Sequence, residues 1–231
     1  MHKRIFYGVI ILAVLSFIVS MLIPVPIGDL ENEQAALPEQ YLPWQIEPTA
    51  DGSIRVFGLT LGQSTLQEAE QLYHGGAEVS LFVSPQGQYK VEAYFDKVVL
   101  GGFSAQMVMV MALNQQQLAA MFKRGTRLSH MGGERKKVTL APEDLQTVFA
   151  TPIASLAYLT RARLDDELLR KRFGEPAQRI REAEAQTTHW LYPELGLDIA
   201  LHDNGRAVLQ YVSPKQFAEL MTPLLELEAQ D

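Results

Sequence analysis

The chain of 231 residues contains no cysteine. That absence removes disulfide bonds, thiol nucleophiles and thiolate metal ligands together, so the fold must rely on packing alone. Positive charge is missing from one long stretch. After Lys3 and Arg4 no lysine or arginine occurs until Arg55, while Asp29, Glu31, Glu33, Glu39 and Glu47 all fall between. Catalytic signatures are missing too: there is no Gly-x-Ser-x-Gly, no His-Glu-x-x-His and no phosphate loop. The histidines, His2, His74, His130, His189 and His202, include no pair at metal-ligand spacing. A net charge of −7 argues against a general nucleic-acid binder.

What is present begins with an apolar run. Ile5 to Ile23 carries no charge, and Gly8, Ser16 and Ser20 are its small or polar breaks. As a helix it would be about 28 Å long, close to a hydrocarbon core of ~30 Å. It has no polar face at the helical period. Lys3 and Arg4 before it and the acids after it predict a cytoplasmic N-terminus and a C-terminal domain on the far side. A cleaved secretory signal is the competing reading. Its apolar region is usually ~7–15 residues, and Ile18-Val19-Ser20 is a poor cleavage site. The expectation is a single-pass signal-anchor in the bacterial inner membrane with a periplasmic domain.

Residues 24–52 carry Pro24, Pro26, Pro38, Pro43 and Pro48 among acidic and amide residues and read as an extended periplasmic tether. Trp44 in this stretch has two readings, docked on the domain or at the membrane surface. The remainder says one thing twice. In the first copy Ser64 is the predicted N-cap of a helix with Leu66, Ala69, Leu72 and Tyr73 on one face, stopped by Gly75-Gly76. Strands over 77–83, 89–100 and 104–113 follow, with a turn at Ser84-Pro85-Gln86-Gly87. In the second copy Asp165 caps a helix through Leu168, Leu169 and Phe173, ended by Gly174-Glu175-Pro176. Strands over 189–192, 197–202 and 207–212 come next. Between the copies lie predicted helices at 115–123 and 142–149 with a basic loop separating them.

The last hairpin can be registered. A three-residue Asp203-Asn204-Gly205 loop pairs Leu197 with Tyr211, Ile199 with Leu209 and Leu201 with Ala207, and this separates apolar from polar better than a two-residue turn. Asp198, Ala200, His202, Arg206, Val208 and Gln210 then share the other face, which predicts one buried face and one largely open to water. Met107 to Leu113 is apolar at every position, as in a strand covered on both faces. Core packing and a soft, methionine-rich interaction surface are both readings of it.

The fold class expected is α+β: a transmembrane helix, then two similar units of short helices packed on antiparallel sheet. The divisions are a cytoplasmic stub (1–4), transmembrane helix (5–23), proline-rich linker (24–52), first unit (53–150), second unit (151–218) and C-terminal helical tail (219–231). The second copy, in Leu168-Leu169, Phe173-Gly174-Glu175-Pro176, Trp190-Leu191-Tyr192, Leu197 to Leu201 and Asp203-Asn204-Gly205-Arg206, resembles the small envelope-lipoprotein fold of the barrel-assembly machinery's SmpA/OmlA type. The likeness covers roughly residues 160–213, without the lipidated cysteine. Tandem copies of such a unit are similar to the β-lactamase inhibitory protein architecture. The resemblance implies a protein that binds proteins and has no active site.

Three clusters are candidates for chemistry or contact. His189, His202 and Asp198 would form an acid–base or metal cluster if the sheet brought them together; the plainer reading is solvated strand-face side chains. Glu92 and Asp96 share a strand face, as paired carboxylates or as an ordinary polar face. Lys123, Arg124, Arg127, Arg135, Lys136 and Lys137, with His130, oppose Glu134 alone. That segment is either a solvated loop or a contact for anionic lipid headgroups or an acidic partner. The expected function is an accessory protein anchored in the inner membrane through 5–23, acting by protein–protein interaction in the cell envelope. It is not an enzyme, and has no cofactor, metal site or nucleic-acid partner. The alternative is a periplasmic lipid or small-molecule binding domain.

Overall fold

The computed structural model describes residues 41–228. Local chemistry sets most element boundaries. Helix α1 (Leu66–Tyr73) opens on a capping box, in which the Thr65 side chain accepts from the Glu68 N–H and Glu68 accepts from the Thr65 N–H. The cap is therefore Thr65, one residue beyond the expected Ser64, whose hydroxyl instead accepts from the Thr60 N–H. Helix α2 (Gln115–Arg124) repeats the box with Asn114 and Gln117. Helix α3 (Pro142–Phe149) places Pro142 in its first turn. Helix α4 (Asp166–Phe173) is capped by Asp165 and ended by Gly174. Helix α5 spans Phe217–Glu228.

Strands β1 (Glu47–Pro48), β2 (Ile54–Val56) and β3 (Leu59–Thr60) form a small antiparallel sheet. The other strands are β4 (Glu78–Val83), β5 (Tyr89–Leu100), β6 (Phe103–Met111), β7 (Arg127–His130), β8 (Lys136–Thr139), β9 (Ile153–Thr160), β10 (Gln178–Glu182), β11 (Thr187–Tyr192), β12 (Leu197–His202) and β13 (Ala207–Val212). These ten make one sheet in the order β10-β11-β12-β13-β9-β6-β5-β4-β8-β7, antiparallel at every pair. The β12–β13 hairpin adopts the three-residue register, with Leu197 opposite Tyr211, Ile199 opposite Leu209 and Leu201 opposite Ala207. Gly205 takes the left-handed position at φ +83°.

This architecture corrects the expected one in two ways. There are not two separate sheet units. β9 falls where no strand is expected from sequence, and it bonds to β6 on one side and β13 on the other. The two meanders therefore fan outward from one shared central strand. Nor is there a transmembrane, single-pass signal-anchor among the described residues. No helix there is long and apolar enough to cross a membrane. Helix α5, with 12 residues, reaches only about 18 Å against a core of ~30 Å. The run 5–23 on which that expectation rests lies outside the described residues.

Alternation sorts the side chains into two layers. One face carries the main core: Leu81, Val91, Phe95, Met107, Met109, Tyr158, Trp190, Ile199, Leu209 and Tyr211 pack with α1 to α4 and the small sheet. At its centre Phe57 stacks on Tyr158 at 5.0 Å and meets Tyr211 edge-on at 5.2 Å. Phe57 and Gly58, at φ +54° and +82°, make the tight β2–β3 turn. The left-handed strain at Phe57 is offset by this aromatic burial and by the bond its carbonyl accepts from Tyr73 Oη at 3.1 Å. The second face was expected to be open to water, and it is not. Helix α5 covers Ile180, Leu191 and Val212 with Phe217, Leu220 and Leu224. Val108, Ala157, Leu159, Ala200 and Val208 form a further buried strip. Met107 to Met111 is core on both sides apart from half-buried Val110.

Candidate functional site

The second face holds a row of polar groups across adjacent strands. His189 on β11, Asp198 on β12 and Gln210 on β13 are all buried. His189 Nδ1 lies 2.9 and 3.1 Å from the two Asp198 oxygens, and Gln210 Nε2 donates to Asp198 at 3.2 Å. His189 Nε2 faces Glu182 of β10 at 3.5 Å. Burial alone would lower the imidazole pKa. Asp198, through charge and hydrogen bond, and then Glu182 outweigh that and push it up to about 10. The result is a sealed imidazolium between carboxylates. His189 and Asp198 are both 0% exposed, so no substrate reaches them.

Of the three residues His189, His202 and Asp198, only the first and last come together. His202 does not join them: its Nδ1 accepts from the Asn204 N–H at 3.1 Å, inside its own tight loop. Among the described residues no group of three or more His, Asp or Glu side chains is arranged to hold a metal ion. Glu92 and Asp96 do not act as a pair either. Glu92 is buried and bridged to Lys90, while exposed Asp96 accepts from Tyr94 Oη at 2.9 Å and Gln106 at 3.1 Å.

The basic segment is not a loop: Lys123 and Arg124 end α2, and Arg127 to Lys137 belong to a β-hairpin with β7 at the edge of the large sheet. Arg124 is held by Asp144 through two bonds of 2.6 and 3.1 Å, and Asp144 is itself buried. Arg135 Nε donates to the Gly132 carbonyl at 3.1 Å, and Lys137 bridges to Glu78. Lys123, Arg127 and Lys136 are bridged to no carboxylate among the described residues. Strand alternation puts Lys136 on the face of buried Val138, and Lys137 and Arg127 on the other. The three strand cations are thus divided between two sides of the sheet, while Lys123 and Arg124 end α2 and Arg135 lies in the turn.

One accessible apolar feature of the described residues is a groove of about 140 Å³. Pro43 and Trp44 form one wall and α4, with Leu168 and Phe173, another; Tyr158, Leu209 and Leu169, all buried, line its depth. Phe103, at the start of β6, stands at it. Phe103 is 51% exposed and Leu168 37% exposed. Trp44 is docked on the domain, with the Arg172 guanidinium 4.3 Å from its ring centre. The segment before it is held by Tyr211 Oη, which donates to the Pro43 carbonyl at 2.9 Å. Arg163 and Arg172 are the charged residues of the lining, which includes no carboxylate. None of these groove residues except Trp44 stands out in the sequence as a contact. The local hint was Phe103, a large aromatic directly after Gly101-Gly102. No protein-family model matches the chain, and comparison with curated proteins and with solved structures gives no match.

Proposed function

We propose that the protein is a non-enzymatic accessory protein of the bacterial cell envelope that binds another protein, taking one apolar side chain of its partner into the groove between Trp44 and α4. The observation that carries this reading is the convergence of Phe103 and Leu168, two large apolar side chains left in water, on one concave site with a docked tryptophan. Protein interfaces concentrate their energy in such sites, where an anchor residue enters a preformed pocket. The envelope setting draws on the likeness of residues 160–213 to small envelope proteins.

Size favours a side chain over a lipid or metabolite. A space of about 140 Å³ is close to the ~150 Å³ engineered cavity that holds one benzene. Sites for small-molecule ligands run from roughly 300 Å³ upwards. The groove accepts a leucine or phenylalanine side chain and little more.

A photo-crosslinking residue at Leu168 in the full chain, irradiated in the cells that make it, tests the reading. A discrete protein adduct is expected, absent when the same probe replaces exposed Glu134 and lost on adding Phe103→Glu. Phe103 is half in water, so that change leaves the fold intact. Recovery of the uncrosslinked protein alone from both probe positions would count against the proposal.

A further inference from the structure

Resting on the groove as the binding site, we propose that the partner segment is acidic: one apolar side chain that fills the groove, flanked by carboxylates that meet Arg163 and Arg172. Three arginines nearby already have acidic partners. Arg170 bridges Asp166 and Glu175, Arg179 bridges Asp166, and Arg181 bridges Asp203. Arg163 and Arg172 are both exposed, and neither is bridged to a carboxylate among the described residues. Arg172 spends the face of its guanidinium on Trp44. That stacking leaves the N–H edge free and pre-orients it for a carboxylate.

The sign of the site is also opposite to that of the molecule. The whole chain carries −7, yet the groove lining holds two cations and no anion. An acidic partner is therefore repelled at long range by the net charge and attracted locally at the groove. At physiological salt the Debye length is about 8 Å, which suppresses the distant repulsion and keeps the local contact. The local contact belongs to whichever residues flank the buried anchor, so the carboxylates must be close to it in the partner's sequence.

Titration of the full chain with three short peptides tests this, each with one central phenylalanine, flanked on both sides by glutamate, by glutamine or by lysine. Binding is read from tryptophan fluorescence and calorimetry. The glutamate peptide is expected to bind roughly tenfold more tightly than the glutamine peptide, the sum of two exposed ion pairs, and the lysine peptide least well. The double variant Arg163→Gln/Arg172→Gln should erase that preference, bringing the glutamate and glutamine peptides to one affinity, weaker for both because the Arg172 contact with Trp44 is lost. The peptide series on the unaltered chain carries the test even if the variant misfolds. Equal binding of the glutamate and glutamine peptides would overturn the acidic partner while leaving the groove as a site. Failure of all three peptides would overturn both readings. If decanoate bound as tightly as the glutamate peptide, with the same dependence on both arginines, the occupant would be an acyl carboxylate and the peptide partner would be wrong.

Discussion

His189 is a basic side chain held between Asp198 and Glu182 with none of its own surface exposed. Its folded pKa is pushed up to about 10, against an unfolded value of about 6.5. Between those values the folded protein keeps a proton that the unfolded chain releases, so stability falls as pH rises. The contribution is complete below about pH 6.5, is lost as pH climbs through about 10, and is on the order of a few kcal/mol. Denaturant unfolding across that window should show the wild-type midpoint falling steadily. Asp198→Asn removes the main cause of the raised pKa and should flatten most of that slope. It should also cost about 3 kcal/mol near pH 6, because it breaks a buried pair. A wild-type midpoint that stayed constant from about pH 6.5 to 9.5 would mean that the imidazole is neutral in the fold.

Helix α4 is bounded by two residues whose roles differ in kind. Asp165 caps its start through a 2.8 Å bond from the Leu168 N–H. Gly174 ends it at φ 79° and ψ −168°, a region essentially restricted to glycine. A Cβ added at Gly174 would meet nothing within 4 Å, so a substitution there tests backbone strain alone. Gly174→Ala should lower stability by about 1–3 kcal/mol, measured as a calorimetric midpoint shift, and an unchanged midpoint would show that the α4–β10 turn relaxes freely. Caps and turns of this kind act within a few residues, which is why α1 to α4 and the β12–β13 register were legible in the sequence. β9 was not, because Ile-Ala-Ser-Leu-Ala-Tyr-Leu-Thr becomes a strand by pairing with β6 and β13, which are distant in the chain. β7 and β8 carry one apolar residue each, Leu128 and Val138, and pair because Val138 enters the core beside β4. The groove draws on five separate stretches, around residues 44, 103, 160, 170 and 209, and only Trp44 among them stands out when read alone. The sequence offered His189 and Asp198 only within a cluster that included His202, with solvated side chains as the plainer reading; their burial was not legible, since α5 and the covered second face are tertiary features.

A continuous sheet makes a claim about the whole molecule that two tandem units would not. The main core runs without a break from Leu81 and Val91 in the first meander, through Tyr158 on β9, to Ile199 and Tyr211 in the second. Ladder bonds cross the same strand in both directions. Opening either meander therefore exposes the shared wall of the other, and the two halves should unfold as one cooperative unit. Leu81 and Ile199 are each fully buried, one on either side of β9. Leu81→Ala and Ile199→Ala should each cost about 2–5 kcal/mol. Hydrogen exchange followed by mass spectrometry separates the possibilities. Near-global opening should release the amides of β4 and β12 together, and either variant should speed both by the same factor. If Leu81→Ala sped exchange in β4 and left β12 at its wild-type rate, the halves would be independent. β9 would then be a seam between two units rather than the centre of one, and the groove, which spans β6, β9, β13 and α4, would open and close with the coupling between them.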